Sequence, residues 1–163
     1  MLTVFFDRRL LIAVAVVVTF SGCATQPTPV SIADTLAARV ELSTLSSLVV
    51  KAGLTDTFKS TGPFTVFAPT NAAFAKVSTK TMEDLGKEPA KLKAVLTYHV
   101  VPGKVMAVDV KNSNAKTVNG ANIALSKAGE FVTVEDGMVQ TADLQATNGV
   151  IHIIDSVLIP PAR

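Results

Sequence analysis

The chain has one cysteine, Cys23, among 163 residues, so no internal disulfide can staple it. It has no tryptophan, one tyrosine (Tyr98) and two histidines (His99 and His152). A zinc site wants three or four converging ligands. With the sulfur near one end and no closely spaced histidine pair, neither a metal nor any other cofactor is implied. There is no Gly-x-Ser-x-Gly elbow to expose a nucleophile. There is also no Gly-x-Gly-x-x-Gly or Walker-type Gly-Lys-Ser/Thr loop to cradle a phosphate. Charge of one sign is missing too. Fifteen basic residues face thirteen acidic ones, and both are scattered. Without a basic stripe there is nothing to displace counterions from a phosphate backbone, which excludes nucleic acid as a partner. Arg-Gly-Asp and Asn-x-Ser/Thr triplets are absent as well.

What is present begins with an export signal over residues 1–22. Arg8 and Arg9 supply its positive region. Leu10 to Phe20 is an apolar run of 11 residues, interrupted only by Thr19. About 20 residues are needed to cross a bilayer as a helix, so the run reads as a cleaved signal rather than a permanent span. Phe20-Ser21-Gly22-Cys23 then resembles a bacterial lipobox, with Phe20 where leucine is usual. The resemblance implies cleavage before Cys23 and acylation of its sulfur. Acylation would also remove an exposed free thiol from an oxidising compartment. The alternative is an ordinary secretory signal cut nearby, for instance after Ala24, giving a secreted or periplasmic soluble protein. Ala24 in place of Asp leans towards the outer membrane. Residues 23–30 form the lipidated end and a polar, proline-containing spacer.

Residues 31–161 read as one α+β domain. Ser31 can cap a helix bearing Ile32, Leu36 and Val40. Ser43 or Thr44 starts another, with Leu45, Leu48, Val49 and Ala52 on one face and Gly53 as its C′ residue. Phe64 to Phe67 is a β-branched and aromatic strand that Pro69 stops. Thr70 caps the helix that follows. Met82 to Leu85 is a short turn closed by Gly86, and Pro89 opens a helix through Leu92, Val95 and Leu96 to Tyr98. Beyond Pro102-Gly103 the pattern changes to short strands: Val105–Val110, Ala115–Val118, Ala121–Leu125, Phe131–Val134 and Met138–Gln140. A tight turn at Asn148-Gly149, where both residues tolerate positive φ, leads to a central apolar strand, Val150–Leu158.

Three segments in this order carry a family resemblance. They are Gly62-Pro63-Phe64-Thr65-Val66-Phe67-Ala68-Pro69-Thr70-Asn71-Ala72-Ala73-Phe74, then Leu96-Thr97-Tyr98-His99-Val100-Val101-Pro102-Gly103, then Asn148-Gly149-Val150-Ile151-His152-Ile153-Ile154-Asp155-Ser156-Val157-Leu158-Ile159-Pro160. Together the segments closely resemble the fasciclin domain over about Ser31 to Pro160. The resemblance implies a wedge-shaped β-sandwich with several helices packed against it. It also implies a role in adhesion or at the cell surface; it does not imply catalysis. Tyr98 and His99 are the candidate partner-binding residues, because that segment is tied to partner binding in some animal members.

Each remaining candidate has a structural reading beside it. His152 and Asp155 differ by an odd number within a strand, so they should face opposite ways and form no dyad. Glu83-Asp84 and Glu135-Asp136 read as solvated turn charges. The function that follows is a non-enzymatic cell-envelope lipoprotein. Its partners would be the lipid bilayer, through acylated Cys23, and an envelope or matrix protein or polysaccharide. The alternative is a carrier of a small apolar ligand, held in a pocket of roughly 300 Å³ or more. A hydrolase ranks last, for want of an activated nucleophile.

Overall fold

The computed structural model describes residues 30–161. The export signal, Cys23 and the spacer up to Pro29 lie outside the described residues. Among the described residues, no helix is long and apolar enough to cross a membrane.

Among the described residues, six α-helices, a single 3-10 turn at Val40–Leu42 and seven strands form the domain. The helices are α1 (Ile32–Ala38), α2 (Ser43–Lys51), α3 (Thr55–Lys59), α4 (Asn71–Lys76), α5 (Thr79–Lys87) and α6 (Pro89–Tyr98). The strands are β1 (Phe64–Pro69), β2 (Val100–Pro102), β3 (Ser113–Lys116), β4 (Asn122–Ala128), β5 (Phe131–Val134), β6 (Gly137–Ala146) and β7 (Gly149–Ile154). Hydroxyls start three of the helices. Ser31 accepts from the Asp34 N–H, Thr70 from Ala73 and Ser78 from Thr81. Pro89 stands in the first turn of α6, where its missing donor costs nothing.

The strands follow the order β2-β1-β7-β6-β5-β4-β3. All pairs are antiparallel except β1 with β7, second and third in that order, which run parallel. The sheet curls until its ends approach. Val118 N–H donates to Val100 O at 2.8 Å and Asn119 N–H to Thr97 O at 3.3 Å. The result is a near-barrel with helices on one side, an α+β fold.

Alternation along β1 and β7 builds two cores. Val66, Ala68, Ile151 and Ile153 face the helices and join Leu36, Leu45, Leu92 and Leu96. Phe67 and Ile154 face the inside of the curl and join Tyr98, Ile123, Val132 and Val134. Every residue of β7 is buried, as its two apolar faces require.

Two asparagines tie the helical layer to the strands. Asn71 accepts from Thr44 N–H and donates to Val40 O. Asn148 accepts from Ile32 N–H at 2.9 Å and donates to Phe58 O and Ser60 O at 2.8 and 2.9 Å. Neither Asn148 nor Gly149 has positive φ. The glycine is needed for a different reason: a Cβ there would collide with the backbone carbonyl of Phe64 on the adjacent strand. Asn148→Ala leaves three backbone groups without their partner, and water reaches only some of them. The expected cost is about 2 kcal/mol. A urea midpoint equal to that of the parent chain would contradict the role given to this side chain.

Five sequence readings change. Val105–Val110 is no strand: Val105 N–H donates to the Thr65 hydroxyl, Ala107 N–H to Asp143, and Asp109 and Val110 turn back on Met106 O. The strand expected at Ala115–Val118 lies at Ser113–Lys116. The helix α5 runs through Gly86 rather than ending there. The strand β6 is ten residues long rather than three, and β7 stops at Ile154 instead of Leu158. Register shifts between Val139 and Leu144, with Asp143 at φ 58°, break the alternation that marks a strand in sequence.

Candidate functional site

The Tyr98–His99 segment joins α6 to β2. Both side chains point inward, at 3% and 2% exposure. His99 Nε2 lies 3.0 Å from the Leu158 amide, which can only donate. That nitrogen is therefore the acceptor, and Nδ1 carries the proton that it gives to Val95 O at 2.8 Å. The ring is a neutral bridge between α6 and the C-terminal segment. Burial holds its pKa down to about 4, against the opposing pull of the Val95 carbonyl. The backbone takes part as well, since His99 O accepts from Phe67 N–H at 2.9 Å.

Tyr98 reaches into the second core. Its hydroxyl lies 3.1 Å from Asn122 O and 3.4 Å from a Glu135 oxygen. Burial, and then the Glu135 charge, push its pKa up. The same carboxylate oxygen accepts from Ala124 N–H at 2.8 Å. Glu135 is thus no free turn charge, contrary to the reading from sequence. Its φ of 52° aims the side chain back over β4.

His152 repeats the device on β7. Its Nε2 donates to Val105 O at 2.9 Å, and its Nδ1 accepts from Asp143 N–H at 3.3 Å. The ring stacks on Phe67 with centroids 5.5 Å apart. Burial lowers its pKa, while the Val105 carbonyl and the Asp143 charge pull the other way. Asp155 lies beyond the strand and accepts from Met138 N–H at 2.8 Å, so it takes no part with His152. The hydroxyl of Thr70 serves as a cap. Among the described residues no hydrogen bond joins Thr70, His99 and His152 to one another, and no three acidic, histidine or cysteine side chains gather as a metal site would require.

Outside this buried bridge lies an open groove of about 470 Å³. It runs between α5, α6 and the C-terminal segment, over Leu85, Val95, Asn119 and Ile159, with Asp84 and Lys91 at its edge. Sequence reasoning found Tyr98 and His99 but not this groove. Its walls come from three stretches that only the closure of the sheet and the His99–Leu158 bond bring together.

The profile of the fasciclin domain matches residues 40–160. The protein sll1483 of Synechocystis is 41% identical over 133 residues, covering 80% of this chain and 74% of its own. The cell surface glycolipoprotein MPB83 of Mycobacterium bovis is 34% identical over 127 residues, covering 75% of this chain and 57% of that protein. The solved structure of a domain pair from the insect cell adhesion molecule Fasciclin I superposes with a TM-score of 0.64 at 19% identity, over 80% of this chain and 51% of that one. The chain belongs to the fasciclin-domain family.

Proposed function

We propose that this protein is a non-enzymatic adhesion module of the cell envelope. It is tethered to lipid through acylated Cys23, and it meets a protein or polysaccharide at the groove above His99. The observation that carries this reading is that the side chains best suited to chemistry are consumed internally. Both histidines are neutral bridges with both ring nitrogens engaged, and the threonine after β1 is a cap. A catalytic base needs a free lone pair beside its substrate, and neither ring offers one. Tyr98 and His99 serve a partner by fixing the groove's wall rather than by touching it. The tether is supported by the lipobox-like run before Cys23, by Ala24 as a lean towards the outer membrane, and by the surface lipoprotein among the relatives.

Metabolic labelling with a fatty-acid analogue tests the anchor. Label is expected on the native protein and none on Cys23→Ser; equal label on both rejects the anchor. The groove is tested with the purified chain immobilised against envelope proteins and polysaccharides. Lys91→Glu combined with Ile159→Asp is expected to cut capture at least fivefold with the thermal midpoint unchanged. Undiminished capture moves the contact elsewhere.

A further inference from the structure

A second, smaller cavity lies at the other end of α6, against the start of the domain. Its volume is about 130 Å³. Ile32, Phe58, Val66 and Val100 form its floor, all at most 6% exposed. Thr57 and the 44% exposed Val118 stand at its mouth. Thr97 also lines it, but its hydroxyl is turned back onto Lys93 O and Ala94 O, so it presents only its methyl group. No buried side-chain polar atom among the described residues lacks a partner, so no side chain there asks for a water. Enclosed apolar cavities stay dry, and one near 150 Å³ takes a molecule the size of benzene; this one shares the apolar lining but opens to solvent between Thr57 and Val118.

A ligand held here can carry no polar group inside, and its polar end must remain at the mouth. That describes an amphiphile whose last half-dozen carbons enter. Position supplies the rest. The floor residue Ile32 is the first residue of α1, so the chain leading back to Cys23 leaves the domain beside this cavity. Eight residues lie between Cys23 and Ile32, which makes nine Cα–Cα steps. Fully extended they reach roughly 30 Å, which bounds how far an acyl group on Cys23 can lie from the opening.

We propose that the cavity bounded by Ile32, Phe58, Val66 and Val100 seats the end of a saturated alkyl chain. Two sources share that chemistry: the chain's own acyl group on Cys23, and a free or membrane fatty acid. The first source rests on the tether proposed above; the seat itself does not.

The test uses full-length Cys23→Ser protein, methyl-labelled, titrated with sodium octanoate. Saturable shifts are expected at the Ile32, Val66 and Val100 methyls. They should weaken at least tenfold in Thr97→Phe, which fills the cavity from α6. Val118→Phe, at the exposed mouth, gives the same reading without a core change. Shifts that do not saturate, or that persist undiminished in both filled variants, overturn the seat. The acylated protein from membranes then separates the sources. Octanoate binding weakened tenfold or more shows the chain's own acyl group in place; full-strength binding assigns the seat to an outside fatty acid. If mass spectrometry finds no acyl group on Cys23 while octanoate still saturates the unacylated chain, the tether falls and the seat stands.

Discussion

Phe67→Ala is expected to destabilise the domain by about 3–5 kcal/mol. For a domain of this size that corresponds to a fall in Tm of roughly 10–15 °C. The ring is 1% exposed and sits in the core inside the curl of the sheet. Its removal does more than open a cavity. It takes away the stacking partner of His152, whose ring ties the Val105 loop to the bulge at Asp143. Phe67 belongs to the parallel β1–β7 pair, whose register places it opposite His152. Its own amide bonds to His99 O and stays in place, so the loss is one of packing and not of backbone pairing. Phe67→Leu keeps most of the volume and should cost well under half as much. Calorimetry on the three proteins decides the matter. Equal midpoints would mean that the interior of the curl tolerates a void, and the two-core description would be wrong.

The parts of the fold read correctly from sequence are those fixed by local chemistry. Ser31 and Thr70 cap, Pro89 opens a helix, Gly53 takes φ 65° and β7 is buried on both faces. The misread parts are fixed by distant partners. Val105 to Val110 has the β-branched composition of a strand. Its amides, however, are claimed by Thr65, forty residues earlier, and by Asp143, on a later strand. The bulges of β6 bring its side chains out of alternation just where Asp143 must turn to meet His152 and Ala107. A tight turn does lie where Asn148-Gly149 predicts one, at Thr147–Asn148 between β6 and β7, but without positive φ: the asparagine is there to gather three hydrogen bonds and the glycine to let two backbones touch. The candidate site divides in the same way. Tyr98 and His99 stand out as a motif, while their partners Glu135 and Leu158 are ordinary residues in sequence. Only the closure of the near-barrel makes Glu135 the acceptor for Tyr98 and Leu158 the donor to His99.

Acidification is expected to weaken the domain from about pH 6.5 downward. His99 has an ordinary unfolded pKa near 6.5, while in the folded protein its pKa is about 4. Between those values the unfolded chain binds the proton and the native one refuses it. Stability is therefore complete above about pH 6.5, declines as pH falls, and levels off below about 4 once both states are protonated. At about 1.4 kcal/mol per pKa unit, the loss between pH 7.5 and 4.5 is about 2–3 kcal/mol from this ring alone. His152, whose pKa is also lowered by burial, adds in the same direction from the same upper limit. The native state refuses the proton for a geometric reason: His99 Nε2 is filled by the Leu158 N–H, and a proton there would set two donors face to face. Two carboxylates, Asp155 and Asp34, behave with the same sign but in a lower window. Asp155 has its pKa lowered first by the Met138 N–H, and Asp34 first by the Ser31 hydroxyl, so both act below pH 3.8. Urea midpoints taken from pH 7.5 to 4.5 isolate the histidines. His99→Gln should be less stable at pH 7.5 and should lose about half or more of the pH dependence. A variant that is destabilised yet keeps the full slope would assign the acid sensitivity to His152. A parent chain with no slope in this window would mean that the ring is already free to take its proton, and that the C-terminal segment is not held by it.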